Sequence, residues 1–188
     1  LAALQRAARP VIVAGGGVRA SGAARELVAL AEKLAIPVAT SLNGKDSIAG
    51  NHPLSVGVVG SYSRESANRV VSQADLVCFV GSETGGMTTH FWAVPKIGVR
   101  ALQIDIDAEA LGRNYPLEAA VLGDAKTVLA CMLAQADASS AARRAAWIST
   151  VQGICAEWRE KYRALLAADD VPMRPERLCA DLGAALPD

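Results

Sequence analysis

The sequence has few of the features that mark nucleic-acid binding or membrane insertion. Its 188 residues contain 19 Lys plus Arg and 19 Asp plus Glu, so the formal net charge is zero. A neutral chain without a basic stripe argues against nucleic acid and anionic membranes as partners. The longest apolar runs have only the length of strands, which argues against a membrane-spanning helix.

Histidine and cysteine are also scarce. The two histidines are His52 and His90, and the four cysteines form no Cys-x-x-Cys pair. We therefore expect no metal site in this chain. The cysteines lie in apolar stretches, which predicts buried free thiols in a reducing compartment, the cytoplasm. They are Cys78, Cys131, Cys155 and Cys179.

What the chain does have is an alternation of short apolar runs and helical patterns. Strand-like runs occupy residues 10–14, 36–40, 53–59, 75–81, 100–107 and 119–125. This alternation predicts an α/β fold with a doubly wound, six-stranded parallel sheet that is Rossmann-like. The loop 41–63 is long, and long loops in compact domains are usually functional or packed against a partner.

Helix signals accompany the strands. Ser21 is the expected N-cap of a helix over 23–34, and Asp124 is the expected N-cap of the helix that follows it. The last strong pattern predicts one long amphipathic helix over 140–168 with an apolar seam. Two interpretations of this helix stay open, namely that it covers the sheet or that it docks against another domain. The seam consists of Trp147, Val151, Ile154, Trp158, Tyr162 and Leu165.

Three glycines follow the first strand in the stretch VIVAGGGVRASG. Gly15, Gly17 and Ala20 fit G-x-G-x-x-A, the loose form of the dinucleotide-binding fingerprint. That fingerprint also needs an acid at the end of the second strand, but this strand ends VATSLNG. A nicotinamide-type site is therefore disfavoured, and no P-loop motif occurs. The glycines either cradle a phosphate or form a tight strand-to-helix turn.

Open parallel sheets bind ligands at the carboxyl ends of their strands. This rule selects the candidate residues of a nucleotide cleft, with Asp105 as a ribose acceptor and Asp107 as a helix cap. No residue is expected to be catalytic. The candidates are Gly15, Gly16, Gly17, Thr40, Ser41, Gly81, Ser82, Glu83, Asp105, Ile106, Asp124 and Ala125.

Several longer phrases together resemble the central domain of thiamine diphosphate-dependent enzymes of the acetolactate synthase-like group. They include PVIVAGGGVRASG, ADLVCFVGSETGG and LQIDIDAEALGRNYPLEAAVLGDAKTVL, and the resemblance extends over residues 4–133. Such enzymes have three domains, of which the first supplies an activating glutamate and the third binds the diphosphate through Mg²⁺. Neither of those motifs occurs here, so the resemblance implies that the chemistry lies outside this chain.

The resemblance also implies a fold of the DHS-like NAD/FAD-binding domain type, and it implies what the middle domain holds. It binds FAD in acetolactate synthases and ADP in oxalyl-CoA decarboxylase-like members, and it is empty in many others. Flavin-binding members carry G-x-R-F-D-D-R after the fourth strand, whereas this chain has Glu83 and Met87 at the two arginine positions. An anion thus replaces a cation that would meet the pyrophosphate. We expect a vestigial cleft without FAD or ADP.

The expected organisation follows from the same resemblance. Residues 1–138 form the central domain, 139–168 a helix that completes it, and 169–188 a linker and the start of the diphosphate-binding domain. The expected partners are the other two domains of a transferase or lyase and further copies in a dimer or tetramer. Because the sequence starts at Leu1, we interpret it as a piece of a longer protein with unknown targeting. The alternative hypothesis is a free-standing nucleotide-binding or NAD-dependent deacetylase-like domain.

Overall fold

Six parallel strands form a single sheet in the order β3-β2-β1-β4-β5-β6. The computed structural model describes residues 1–186, so the last two residues of the predicted segment 169–188 lie outside it. The strands are β1 (Pro10–Ala14), β2 (Val38–Thr40), β3 (Ser55–Val58), β4 (Leu76–Val80), β5 (Arg100–Asp105) and β6 (Leu117–Leu122). The prediction of a doubly wound, six-stranded parallel sheet is confirmed.

Helices cover the two faces of this sheet, and none in the described part of the chain is long and apolar enough to cross a membrane. Four short or medium helices come first: α1 (Ala2–Arg6), α2 (Gly16–Ala20), α3 (Ala24–Leu34) and α4 (Glu65–Ser72). Four more follow the sheet: α5 (Ala125–Gln135), α6 (Ser139–Ala142), α7 (Ala145–Leu166) and α8 (Pro175–Ala185).

Two apolar cores lie on opposite faces of the sheet. Ile12 and Ala14 of β1 face the core beneath α3 and α5, while Val11 and Val13 face the core beneath α4 and α7. Every residue of β1 and β4 is buried, which explains why these strands are continuously apolar in sequence. The edge strand β6 differs, because five of its six residues are exposed.

The predicted long helix over 140–168 is wrong as one continuous element. It is broken at Arg143 and Arg144 into α6 and α7. The first half of α7 covers the sheet, since Trp147 is buried and its Nε1 donates to the Pro10 carbonyl at 3.2 Å. The second half of the predicted seam leaves the core, and Trp158 there is only half-buried.

Ser21 does not form the predicted N-cap. It lies at the carboxyl end of α2, where its hydroxyl donates to the Gly17 carbonyl at 2.8 Å. The chain then reverses through Gly22, whose φ of +64° suits glycine. The following helix α3 begins after Ala23 without a side-chain cap.

Arg144 is a fully buried charge at the break between α6 and α7. Its guanidinium donates to the carbonyls of Leu4 and Leu34, and its Nε donates to the Ala7 carbonyl at 3.2 Å. Leu34 ends α3, and Leu4 lies within the short helix α1, so the positive charge meets carbonyls at the negative ends of two helices. Burial lowers the pKa of this arginine, and backbone carbonyls provide its hydrogen bonds.

We expect Arg144→Met to lower the free energy of unfolding by about 3 kcal/mol, because several buried carbonyls lose their donor. Arg143→Met is the matched control, since Arg143 is exposed and makes one bond to the Gln5 carbonyl. The control should change stability by less than about 1 kcal/mol. Urea unfolding of both variants measures the difference. Equal effects would show that the buried guanidinium contributes no more to stability than the exposed one.

Candidate functional site

A cleft of about 400 Å³ opens at the carboxyl edge of the sheet, where the loops after β1, β4, β5 and β6 meet. This is the edge at which open parallel sheets bind their ligands. The cleft is lined by Gly17, Ala20, Ser21, Gly81, Glu83, Asp105, Ile106, Asp107, Gly123, Asp124 and Ala125.

Seven of the twelve predicted site residues line this cleft: Gly17, Gly81, Glu83, Asp105, Ile106, Asp124 and Ala125. The other five do not. Of these, Gly15 and Ser82 lie in the adjoining loops, and Gly16 is the first residue of α2. Thr40 is buried within β2, and Ser41 lines a second cavity.

Four lining residues were missing from the candidates: Ala20, Ser21, Asp107 and Gly123. Ala20 is the last position of the G-x-G-x-x-A pattern, so the fingerprint itself is the signal for it. Gly123 follows β6 directly, and Asp107 lies two residues after β5. The predicted role of Asp107 as a helix cap is wrong, because residues 108–112 form turns rather than a helix. Its Oδ1 accepts from the Glu109 amide at 2.9 Å within these turns.

The glycine loop packs directly against the loop that follows β4. The amide of Gly15 donates to the Val80 carbonyl at 2.8 Å, and the amide of Gly17 donates to the Gly81 carbonyl at 3.0 Å. A Cβ built on Gly15 would lie 2.1 Å from the Gly81 oxygen, and one built on Gly17 would lie 2.7 Å from the Gly81 Cα. Close approach of two backbones therefore accounts for both glycines, and two amides that a phosphate would need are already bonded.

The cleft is strongly acidic. Its lining contains the carboxylates of Glu83, Asp105, Asp107 and Asp124 and no lysine or arginine. Asp105 is largely buried, and its Oδ1 accepts from the Asp107 amide at 3.1 Å. At an effective dielectric constant near 20, like charges about 5 Å apart repel by roughly 3 kcal/mol. The lining thus opposes a diphosphate, whereas carboxylates can accept hydrogen bonds from sugar hydroxyls.

Asp124 has a structural role at the rim of the cleft. Its Oδ1 accepts from the Thr127 amide at 2.9 Å and from the Thr127 hydroxyl at 3.1 Å, so the predicted N-cap of α5 is confirmed. These hydrogen bonds, led by the one from the backbone, lower the pKa of Asp124 and keep it ionised. A fixed anion therefore lies at the amino end of α5.

A second cavity of about 330 Å³ lies at the same edge of the sheet. Its lining is uncharged and includes Ser41, Leu42, Tyr62 and Met87. The segments before and after β3 reach it from one side, and the Ser61 amide donates to the Met87 carbonyl at 2.8 Å. Leu42, Tyr62 and Met87 are exposed although they are apolar or aromatic, so this edge is suited to contact with another surface.

The strand order, with its reversal between β1 and β4, and the glycine loop at that reversal define a Rossmann-like, nucleotide-binding type of domain. Comparison with known protein families identifies the family to which this domain belongs. Residues 1–132 match the model of the thiamine pyrophosphate enzyme central domain, and the chain belongs to this family. The resemblance inferred from the sequence is confirmed, and the alternative of a deacetylase-like domain is not supported.

Individual relatives agree with this assignment. The chain is 32% identical to a probable acetolactate synthase large subunit of Methanococcus aeolicus, over 97% of this chain and 31% of that protein. It is 34% identical to a protein of the same description from Methanocaldococcus jannaschii, over 93% and 29%. A sulfoacetaldehyde acetyltransferase of Rhodobacter capsulatus is 33% identical over 91% and 30%. The chain thus spans about three tenths of the length of these relatives.

We expect Gly15→Ala to destabilise the protein by about 2–3 kcal/mol, because its Cβ would overlap the Gly81 carbonyl. Gly153→Ala is the matched control, since Gly153 lies within α7 and a Cβ there meets nothing within 4 Å. Alanine is the better helix former, so the control should stabilise the protein by up to about 1 kcal/mol. Thermal unfolding of both variants tests this, and a neutral Gly15→Ala would show that the two loops separate easily.

Proposed function

We propose that this chain is the non-catalytic central domain of a thiamine diphosphate-dependent enzyme of the acetolactate synthase, 2-oxo acid decarboxylase or carboligase group. The family match over residues 1–132 carries this proposal. The chain supplies a rigid sheet whose carboxyl edge, with its exposed apolar side chains, meets the remaining domains. The transferase or lyase chemistry belongs to those domains.

Thiamine diphosphate and Mg²⁺ are the cofactors that this family implies for the whole enzyme. The side chains of this chain do not fit them. Within residues 1–186, no group of three or more His, Cys, Asp or Glu side chains is arranged to hold a metal ion, and the cleft has no cation to meet a diphosphate. Both cofactors are accordingly assigned to the parts of the enzyme outside this chain.

The same reasoning applies to FAD and ADP. In the proposed role the cleft is vestigial, because Gly15 and Gly17 use their amides within the protein and four carboxylates line the space where phosphates would lie. A neutral, hydroxylated group fits this lining better than a phosphate does.

Exposed apolar side chains on α8 support the predicted assignment of residues 169–188 to a linker and the start of the diphosphate-binding domain. The helix α8 presents Leu178 and Leu182, four residues apart and about half exposed, and Val171 before it is almost fully exposed. Such an uncovered apolar stripe is expected where a helix begins a further domain. A dimer or tetramer of the whole enzyme is part of the same proposal.

The free thiols of the cysteines agree with the proposal that the protein is cytoplasmic. All four thiols are free, as expected in a reducing compartment. Cys78 and Cys155 are buried as predicted, whereas Cys131 and Cys179 are exposed, which corrects the expectation for those two. Burial raises the pKa of Cys78 to about 12, so this thiol stays protonated.

The proposal is tested by the inactivity of the chain on its own. We expect no turnover of pyruvate by the purified chain with thiamine diphosphate and Mg²⁺, and no heat of binding when thiamine diphosphate is titrated in a calorimeter. The matched control is the same assay on the whole enzyme. Tight binding of thiamine diphosphate to this chain would overturn the assignment of the chemistry to the other domains.

The vestigial cleft is tested by reversing one charge. We expect Glu83→Arg to strengthen ADP binding, because it replaces a repelling carboxylate with a cation beside the phosphates. The gain should be largest at low salt, where charges are least screened. Calorimetric titration with ADP and with FAD measures it.

Glu160→Arg is the control for overall charge, because Glu160 is exposed on α7 and does not line the cleft. An equal gain in this control would mean that net charge, rather than the cleft, governs binding. Submicromolar FAD binding to the unmodified chain would contradict the proposal that the cleft is vestigial.

A further inference from the structure

A groove of about 670 Å³ lies between α4, the second half of α7 and the start of α8. We call it the α4–α7 groove. Its lining includes Arg64, Arg69, Trp158, Tyr162 and Glu176. None of these residues lines the cleft at the carboxyl edge or the second cavity.

Most charges around the α4–α7 groove are paired. Arg69 is 2.8 Å from Glu157, and Glu65 is 2.6 Å from Lys161. Arg64 and Glu176 are the exceptions among the described lining residues. Within the described residues 1–186, the Arg64 guanidinium forms no hydrogen bond and no salt bridge. Glu65, the carboxylate next to it in the sequence, is paired with Lys161 instead.

The Arg64 side chain is nevertheless held in place. Its guanidinium lies 4.4 Å from the centroid of the Trp158 ring. Gly57, with φ of +96°, makes room for the stem, because a Cβ there would lie 2.7 Å from the Arg64 Cδ. The side chain is half-buried, and burial lowers its pKa, but an arginine remains charged at any physiological pH.

One face of the Arg64 guanidinium therefore lies against the Trp158 ring, while its N–H groups have no hydrogen-bond partner in the described residues. An indole ring stabilises the face of the cation, whereas the N–H donors lie in the plane of the group and point along its edge. A planar pair of oxygens, as in a carboxylate, is the partner that matches this fork. A partly desolvated arginine without such a partner is unusual, because burying an unpaired charge is unfavourable.

We propose that the α4–α7 groove binds a small monocarboxylate through Arg64. Glu176 lines the groove without a salt bridge in the described part of the chain, and its negative charge disfavours anions of higher charge. Trp158 and Tyr162, whose ring centroids are 5.3 Å apart, form the apolar wall that receives the body of the ligand. This inference does not depend on the proposed function of the chain.

Benzoate is the probe, because it combines one carboxylate with an apolar body. The chain, labelled with ¹⁵N, is titrated with sodium benzoate and separately with sodium chloride, at constant total ionic strength. We expect the Arg64 Nε–H signal to shift with benzoate and to saturate, and to remain unchanged with chloride. A shift that never saturates, or the same shift with chloride, overturns the proposal.

Three variants show whether the fork of Arg64 is responsible. Arg64→Gln should weaken benzoate binding by at least about tenfold, since it removes the charged donors, and Arg64→Lys should weaken it because lysine lacks the planar fork. Arg69→Gln is the matched control from the same groove and should keep the affinity, because Arg69 is already paired with Glu157.

The variants are compared only after thermal unfolding shows that each is folded. Should Arg64→Gln fail to fold, Trp158→Phe keeps the charge and loses part of the stacking, and weaker binding is expected there. Unchanged binding in Arg64→Gln, or an equal loss in Arg69→Gln, shows that Arg64 does not bind the carboxylate.

Discussion

The contact between the loop after β1 and the loop after β4 is the constraint on which the rest of the carboxyl edge depends. β1 and β4 are neighbours at the centre of the sheet, where the strand order reverses. Their loops meet backbone to backbone, with Gly15 and Gly17 against Gly81, whose φ is +57°. Nothing larger than hydrogen fits between them. The position of α2, the depth of the cleft and the direction of the segment after β4 all follow from this contact.

The same contact explains why the glycine fingerprint alone does not indicate a phosphate site. A working dinucleotide site needs free amides at the start of the helix and a favourable charge nearby. Here the amides of Gly15 and Gly17 donate to carbonyls of the neighbouring loop, and the loops after β4, β5 and β6 bring acids. Glycine at these positions is therefore a requirement of packing, and it carries little information about the ligand.

Some features were predictable from the sequence because they depend on one local pattern. The buried strands β1 and β4 are short apolar runs, and Asp124 precedes a clear helix start, so both were predicted correctly. The rule that ligands lie at strand ends also located most of the cleft. Thr40 and Ser41 lie at the same edge but do not line this cleft, because a parallel sheet brings several loops to one edge but not to one cleft.

Other features depend on contacts between distant residues and left no local signal. Arg144 has the sequence context of a polar helical face, yet it is buried because Leu4 and Leu34 present carbonyls to it. The break between α6 and α7 occurs at this residue. The stacking of Arg64 on Trp158 joins residues 94 positions apart, and only the packing of α4 on α7 reveals it.

The anchored start of α7 has a mechanical consequence. Arg144 and Trp147 hold the first turn of α7 to α1, α3 and β1. The second half of α7 lies along α4, with ion pairs between Arg69 and Glu157 and between Glu65 and Lys161. A helix of 22 residues is about 33 Å long, so it connects the sheet to the junction with α8. The buried guanidinium at one end and the two ion pairs along its second half together set the direction in which the chain leaves the sheet.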